Sequence, residues 1–239
     1  MEDIFDVVDL GTKKGGAIRE FLRKGDVFTK SGIKASCRPI NCIGYEREEG
    51  EEYRKDVEAR GYQFKIANLA TEEGIAQLPK ARVYLAWHFL EHVPDKTWSA
   101  RLVKASLDRC QDLAWFRLPS FEQDTKNGEG VLRQHGMRFT WTHWRGHTSH
   151  WLADDCVRAI SDWGEANPST DYTVFIKPAD KIESISNRRV VPIDAPIDTN
   201  QYDATMGKKP EVAPFDPPVV AAWEVAVSFN RSLKKINPK

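Results

Sequence analysis

The feature that most restricts this chain is a repeated order: a short apolar β-branched run, a turn residue at its tip, then apolar positions at helical spacing. Ile4 to Leu10 is the first such run, and it ends at Gly11. Gly15 and Gly16 follow, and Ala17, Ile18, Phe21 and Leu22 then fall on one helical face. A polar stretch from Gly25 to Pro39 delays the next run, Asn41 to Tyr45, which closes on Glu46. Glu51 to Arg60 reads as a helix stopped by Gly61, and Tyr62 to Ala67 alternates like a third strand. Thr71 caps a short helix from Glu72 to Leu78, and Pro79 ends it. Arg82 to Trp87 is a fourth strand. Pro94 and Asp95 open a helix that buries Trp98, Leu102, Val103, Ala105 and Leu107, and Leu113 to Leu118 is a fifth strand closed by Pro119. Strands alternating with helices imply right-handed crossovers and a parallel sheet, so the chain is expected to be α/β and doubly wound, with helices on both faces.

Beyond Pro119 the pattern is less regular. Ser120 to Gly130 is polar and expected to be a loop. Met137, Phe139, Trp141 and His143 alternate as in a strand or an extended lid, and Leu152, Cys156, Val157 and Ile160 mark a helix ended by Gly164. Tyr172 to Lys177 and Arg188 to Ile193 are expected to pair as a C-terminal antiparallel hairpin. Residues 1–193 therefore form the main domain. Prolines recur over 194–218 without periodicity, which suggests a linker or surface strap. Val219, Trp223 and Val227 recur at i, i+4, so 219–239 is expected to be an amphipathic helix with a basic end, available for contact with a protein partner.

Charge narrows the partners. Lys plus Arg and Asp plus Glu are 35 each, so no net charge draws the chain toward nucleic acid or an anionic membrane. No basic block with interleaved aromatics marks a nucleic-acid groove, and no apolar run reaches the length of a membrane span. Cys37, Cys42, Cys110 and Cys156 are scattered without a CxxC pair, as expected of reduced thiols in a cytoplasmic protein. The N-terminus shows no secretory pattern.

In doubly wound sheets ligands lie beyond the carboxyl ends of the strands, at the switch point. The strand tips carry candidate binding groups. Asp9-Leu10-Gly11-Thr12-Lys13-Lys14-Gly15-Gly16 turns sharply at Gly11 and leads into a helix whose free N–H groups suit a carboxylate or phosphate. Glu46 suits the two hydroxyls of a ribose. Asn68 and the backbone of Leu69 suit an adenine edge, although a turn-forming Asn explains position 68 equally well. The fourth tip is Trp87-His88-Phe89-Leu90-Glu91-His92-Val93-Pro94-Asp95.

This series resembles the class I S-adenosylmethionine-dependent methyltransferase family, and Leu90-Glu91-His92-Val93-Pro94-Asp95 resembles the run its small-molecule-type members carry after the fourth strand. The resemblance covers roughly residues 3–193. It implies a Rossmann-like fold, a cytoplasmic transferase and S-adenosylmethionine as cofactor. It also implies that Asp9, Gly11, Thr12, Lys13 and Gly15 hold the methionine end, Glu46 the ribose, and Asn68 and Leu69 the adenine. Trp87 and His88 would wall the sulfonium and the methyl acceptor, with His88 as the candidate catalytic base. The chain departs from the family in two places. Lys13 stands where a glycine is usual, and the spacing from Gly11 to Glu46 implies an insertion around Phe28 to Pro39.

A small-molecule acceptor is favoured by elimination, since neither the Asp/Asn-Pro-Pro-Tyr/Phe motif nor a Pro-Cys nucleophile is present. His143, His147 and His150 would share one face of a helix, but Gly146 and the preceding alternation favour strand then turn, so no metal site is expected. The segment from Gln134 to Trp151 suits an aromatic acceptor pocket or plain core packing. Arg117 suits an anionic acceptor or a surface ion pair. Two rival readings stand beside methyl transfer. One is a nicotinamide dehydrogenase, poorly served by Lys13 and by the distance to Glu46. The other is a noncatalytic methyltransferase-like interaction protein.

Overall fold

The computed structural model describes residues 4–23, 42–46, 48–122 and 128–229. Cys37, the insertion at 28–39 and the basic end from Arg231 lie outside the described residues. A seven-stranded sheet organises the chain. Its parallel part comprises β1 (Phe5–Leu10), β2 (Cys42–Glu46), β3 (Gln63–Ile66), β4 (Ala81–Trp87) and β5 (Cys110–Pro119). It is completed by β7 (Tyr172–Pro178) and β11 (Ala222–Phe229). The order is β3-β2-β1-β4-β5-β11-β7. Strand order reverses about β1, which opens a crevice above β1 and β4.

Two short pairs complete the strands: β6 (Met137–Phe139) with β9 (Val190–Pro192), and β8 (Lys181–Ile182) with β10 (Val219–Val220), both antiparallel. The helices are α1 (Gly16–Arg23), α2 (Arg54–Glu58), α3 (Glu72–Ala76), α4 (Lys96–Arg109), α5 (Glu129–Arg133) and α6 (Ala153–Ala166). α3 and α4 start where their caps predict: Thr71 Oγ1 accepts from Gly74 N at 3.1 Å, and Asp95 accepts from Trp98 N at 2.9 Å.

The sheet buries both faces. Val8, Tyr84 and Phe116 face α4 and α6 with Leu102, Cys156 and Ile160, whereas Val7, Leu85 and Trp115 face Ile18 and Phe21 of α1. A separate cluster of Phe139, Trp141, Ile182 and Val190 roofs the carboxyl end of β5, where Trp141 Nε1 donates to the Ser120 carbonyl at 2.8 Å. Among the described residues no helix is long and apolar enough to cross a membrane.

Two sequence expectations are corrected here. Residues 222–229 are not a helix. β11 runs antiparallel between β5 and β7, with Val225 and Val227 fully buried. Positions four apart also share one face of a strand, so the spacing of Trp223 and Val227 fits either element, while Glu224 and Ser228 on the opposite face are buried as well. The docking helix around Trp223 is thereby removed. The hairpin is corrected too, because 172–178 pairs with β11 and 190–192 pairs with β6. The antiparallel character is kept and the partners change. Over 194–218 regular structure is limited to a turn of 3₁₀ helix, Ala204–Met206.

Candidate functional site

Sheet register brings the strand tips level. Leu10 lies opposite Tyr45 and Ala86, and Ala86 lies opposite Phe116. One residue further on, Glu46, Gly11, Trp87 and Arg117 therefore stand in a row at the carboxyl edge. The chain leaves β1 through Gly11 at φ +70°, and the amides of Gly11 and Thr12 both donate to the Tyr45 carbonyl, at 2.9 and 3.1 Å. This ties the turn to the tip of β2. Lys13 also lies in the left-handed region, at φ +44°, and its backbone N–H donates to Glu46 Oε2 at 3.1 Å. Lys13 thus orients Glu46 through its main chain, and Lys13 is itself exposed at the border of the crevice.

Three cavities lie along this edge. The first, about 270 Å³, is walled by Glu46, Asn68, Leu69, Phe89, His92 and Thr148. The second, about 420 Å³, lies over Gly11, Thr12, Lys13, Gly16, Trp87 and His88. The third, about 190 Å³, is walled by Lys13, His88, Glu91, Trp141, His147 and Arg189, among others. Lys13 and His88 border the second and third, and His92 borders the first and third.

The nucleoside candidates Glu46, Asn68 and Leu69 therefore share one wall. Asn68 also forms the turn that competed with that role, its Oδ1 accepting from Ala70 N at 3.0 Å. Gly74 holds Asn68 in place. A Cβ at residue 74 would lie 1.9 Å from the Asn68 carbonyl oxygen, so only glycine lets the two backbones approach.

Thr12, Lys13, Trp87 and His88 gather around the second cavity, while Gly15, at φ +70°, shapes the turn into α1. Asp9 lines none of the three cavities. It is 1% exposed, and neither its carboxylate oxygens nor the Thr12 hydroxyl has a hydrogen-bond partner. Burial pushes its carboxyl up to about 8. The nearby Thr12 offsets part of that rise and the charge of Glu46 adds to it.

His88 sits at φ +50° with its N–H donating to the Arg117 carbonyl at 2.8 Å, which projects it beyond the tip of β4. Its Nδ1 is 3.6 Å from Glu91 Oε1. Arg117 pairs with Asp180 at 2.8 Å and lies over the Trp87 ring, so the ion-pair reading of Arg117 holds.

Two features escaped the sequence. Phe89 packs on Gly11, where a Cβ would lie 2.4 Å from its ring. The segment 144–151 is laced onto the turn Leu90–His92, which brings His147 beside His92 with ring centroids 4.7 Å apart. The lacing runs through Ser149 N to the Glu91 carbonyl (3.1 Å), Thr148 Oγ1 to the Val93 carbonyl (2.6 Å) and His92 Nδ1 to the Gly146 carbonyl (2.9 Å). Burial lowers the basicity of His147, as it does for His143 and His150. His143 does not join the His92–His147 pair, so the helical face suggested by its spacing does not form.

No protein-family model matches the chain, and no curated protein matches its sequence. Solved structures do match in fold. The small RNA methyltransferase HEN1 superposes with a TM-score of 0.54 at 12% identity, over 96% of this chain and 24% of its own. An O-methyltransferase family protein from Burkholderia thailandensis matches with 0.51 at 12% identity, over 73% of this chain and 48% of its own. A chain from the complex of the Haloferax volcanii Trm112 methyltransferase activator with a methyltransferase matches with 0.51 at 11% identity, over 95% and 84%. This chain thus spans about a quarter of the first and about half of the second. Its sheet order, its strand-tip crevice and these superpositions give it the Rossmann-like fold of the class I S-adenosylmethionine-dependent methyltransferases.

Proposed function

We propose that the chain is an S-adenosylmethionine-dependent methyltransferase acting on a small-molecule acceptor. The observation that carries this reading is the wall shared by Glu46, Asn68 and Leu69, with Glu46 oriented by the Lys13 amide. A carboxylate fixed at the tip of β2 suits a ribose diol, and the Asn68–Leu69 turn beside it suits a purine edge. The adjoining glycine-turn cavity would take the amino-acid end, with Thr12 and Lys13 at its rim and the orphaned Asp9 carboxyl behind them. The cofactor, when bound, supplies an activated methyl group on a sulfonium.

The chain's own work is then positioning and proton handling. His88 borders both the glycine-turn cavity and the third cavity, where it would accept the proton of a hydroxyl acceptor. Trp141 and Trp144 provide flat apolar walls for that acceptor. A cytoplasmic location accords with Cys42, Cys110 and Cys156, which are buried and outside any disulfide.

The second reading, a noncatalytic methyltransferase-like protein, draws on the Phe89 ring over Gly11, which occupies space next to the glycine turn. Calorimetry and thermal unfolding with S-adenosylhomocysteine separate the two. At a hundredfold excess over Kd a true ligand raises stability by about 2.7 kcal/mol. No stabilisation at millimolar concentration favours the noncatalytic reading, and stabilisation by NAD instead restores the dehydrogenase.

A further inference from the structure

Glu91, His92 and His147 each present a ligand atom, and these atoms lie within 4.8 Å of one another. We propose that these three residues bind one first-row divalent transition ion of the zinc and cobalt kind, at the wall of the third cavity. Four observations carry this.

The first is the tautomer each histidine must adopt. His92 Nδ1 lies 2.9 Å from the Gly146 carbonyl, and His147 Nδ1 lies 2.9 Å from the Trp141 carbonyl. A carbonyl only accepts, so both Nδ1 atoms carry the proton and both Nε2 lone pairs are left as donors to a cation. A ring N–H tied to a backbone carbonyl is the arrangement that orients metal-binding imidazoles. The second is Glu91. It is 1% exposed, and its Oε2 has no hydrogen-bond partner. A buried carboxylate oxygen without a partner is costly, and a cation beside it removes that cost.

The third is rigidity. The loop 144–151 is laced to the turn Leu90–His92 by the bonds from Ser149, Thr148 and His92 described above, so His147 is held against the other two residues before any ion arrives. Imidazole and carboxylate ligands stand about 2.0–2.2 Å from zinc and so roughly 3.3–3.6 Å from one another, and atoms within 4.8 Å close on one ion by side-chain movements of up to about an ångström. The fourth is openness. All three residues border the third cavity, as does His88, whose Nδ1 is 3.6 Å from Glu91 Oε1. Three protein ligands with a side open to a cavity make a site that admits an oxygen from a ligand.

The consequence for the acceptor rests on the methyltransferase reading. An ion here would bind the hydroxyl of an oxygen acceptor and make it more acidic, with His88 beside it to receive the proton. The acceptor class is then a hydroxyl compound that can approach an ion between Trp141 and His88.

Metal binding by itself does not depend on that reading and is measured without cofactor. The untagged full chain is stripped with a chelator, dialysed, and titrated with Zn²⁺ by calorimetry and with Co²⁺ by visible absorption. The expected result is one ion per chain and a cobalt d–d band, with affinity falling at least tenfold in His147→Ala and in Glu91→Gln. His135→Ala, outside the cluster, keeps the parent affinity. Circular dichroism checks folding. If Glu91→Gln does not fold, His147→Ala and His92→Ala decide. Absence of stoichiometric binding overturns the site, as does binding that none of the three substitutions weakens. S-adenosylhomocysteine binding is titrated separately, so loss of one activity is not mistaken for loss of the other.

Discussion

The backbone amide of Lys13 reaches 3.1 Å to Oε2 of Glu46, joining the turn after β1 to the tip of β2. A residue that looks disruptive in the sequence, because the methyltransferases it resembles usually carry glycine there, contributes only main chain to this contact. Its φ of +44° lies in the left-handed region, which costs an L-residue about 1–2 kcal/mol and suits glycine better.

Lys13→Gly should therefore leave affinity for S-adenosylhomocysteine within about twofold while raising stability by a few tenths to ~1 kcal/mol. The relief of strain is partly offset by glycine's larger unfolded-state entropy. Urea unfolding and calorimetry check both halves. A tenfold loss of affinity would mean that the ammonium group itself contacts the ligand.

Glu46→Ala removes the acceptor for the Lys13 amide and the carboxylate proposed for the ribose. Cofactor binding should weaken by roughly 1–3 kcal/mol, the range for a hydrogen bond to a charged group. Unchanged affinity by calorimetry would take Glu46 out of the nucleoside wall.

Asp9 makes stability depend on pH. Its carboxyl titrates near 8 in the folded chain, against an ordinary value of 3.8. Between these values the unfolded chain has lost the proton and the folded chain keeps it, so stability falls as pH rises from about 4 to about 8 and levels off above. In mid-window the slope from this one group approaches ~1.4 kcal/mol per pH unit. Asp9→Asn lacks the slope. Urea unfolding of both proteins at pH 5, 6, 7 and 8 should show the variant gaining steadily on the parent, and parallel curves would refute the assignment.

Gly74→Ala should destabilise by at least about 1–3 kcal/mol, because its Cβ would lie 1.9 Å from the Asn68 carbonyl oxygen and backbone cannot swing aside like a side chain. The displaced Asn68–Leu69 turn should also lower nucleoside affinity more than Asn68→Ala does. Urea unfolding and calorimetry of the two variants make the comparison.

The local order of runs and turns was enough to read β1 to β5, the caps of α3 and α4, and the residues at each strand tip. These depend on period and chain order, so Gly11, Glu46, Asn68, Trp87 and His88 reach the carboxyl edge without knowledge of any distant contact. Period failed at β11, because Trp223 and Val227, four positions apart, share a face in a strand as they would in a helix, and pairing between β5 and β7 decided for the strand. The approach of His147 to Glu91 and His92 was invisible for another reason. Those residues lie some fifty positions apart in the chain, and backbone hydrogen bonds from one loop to another, which no residue pattern announces, bring them together. Side-chain chemistry and period are properties of the sequence. Which strand pairs with which, and which loop lies on which turn, are decided by non-local burial and hydrogen bonding.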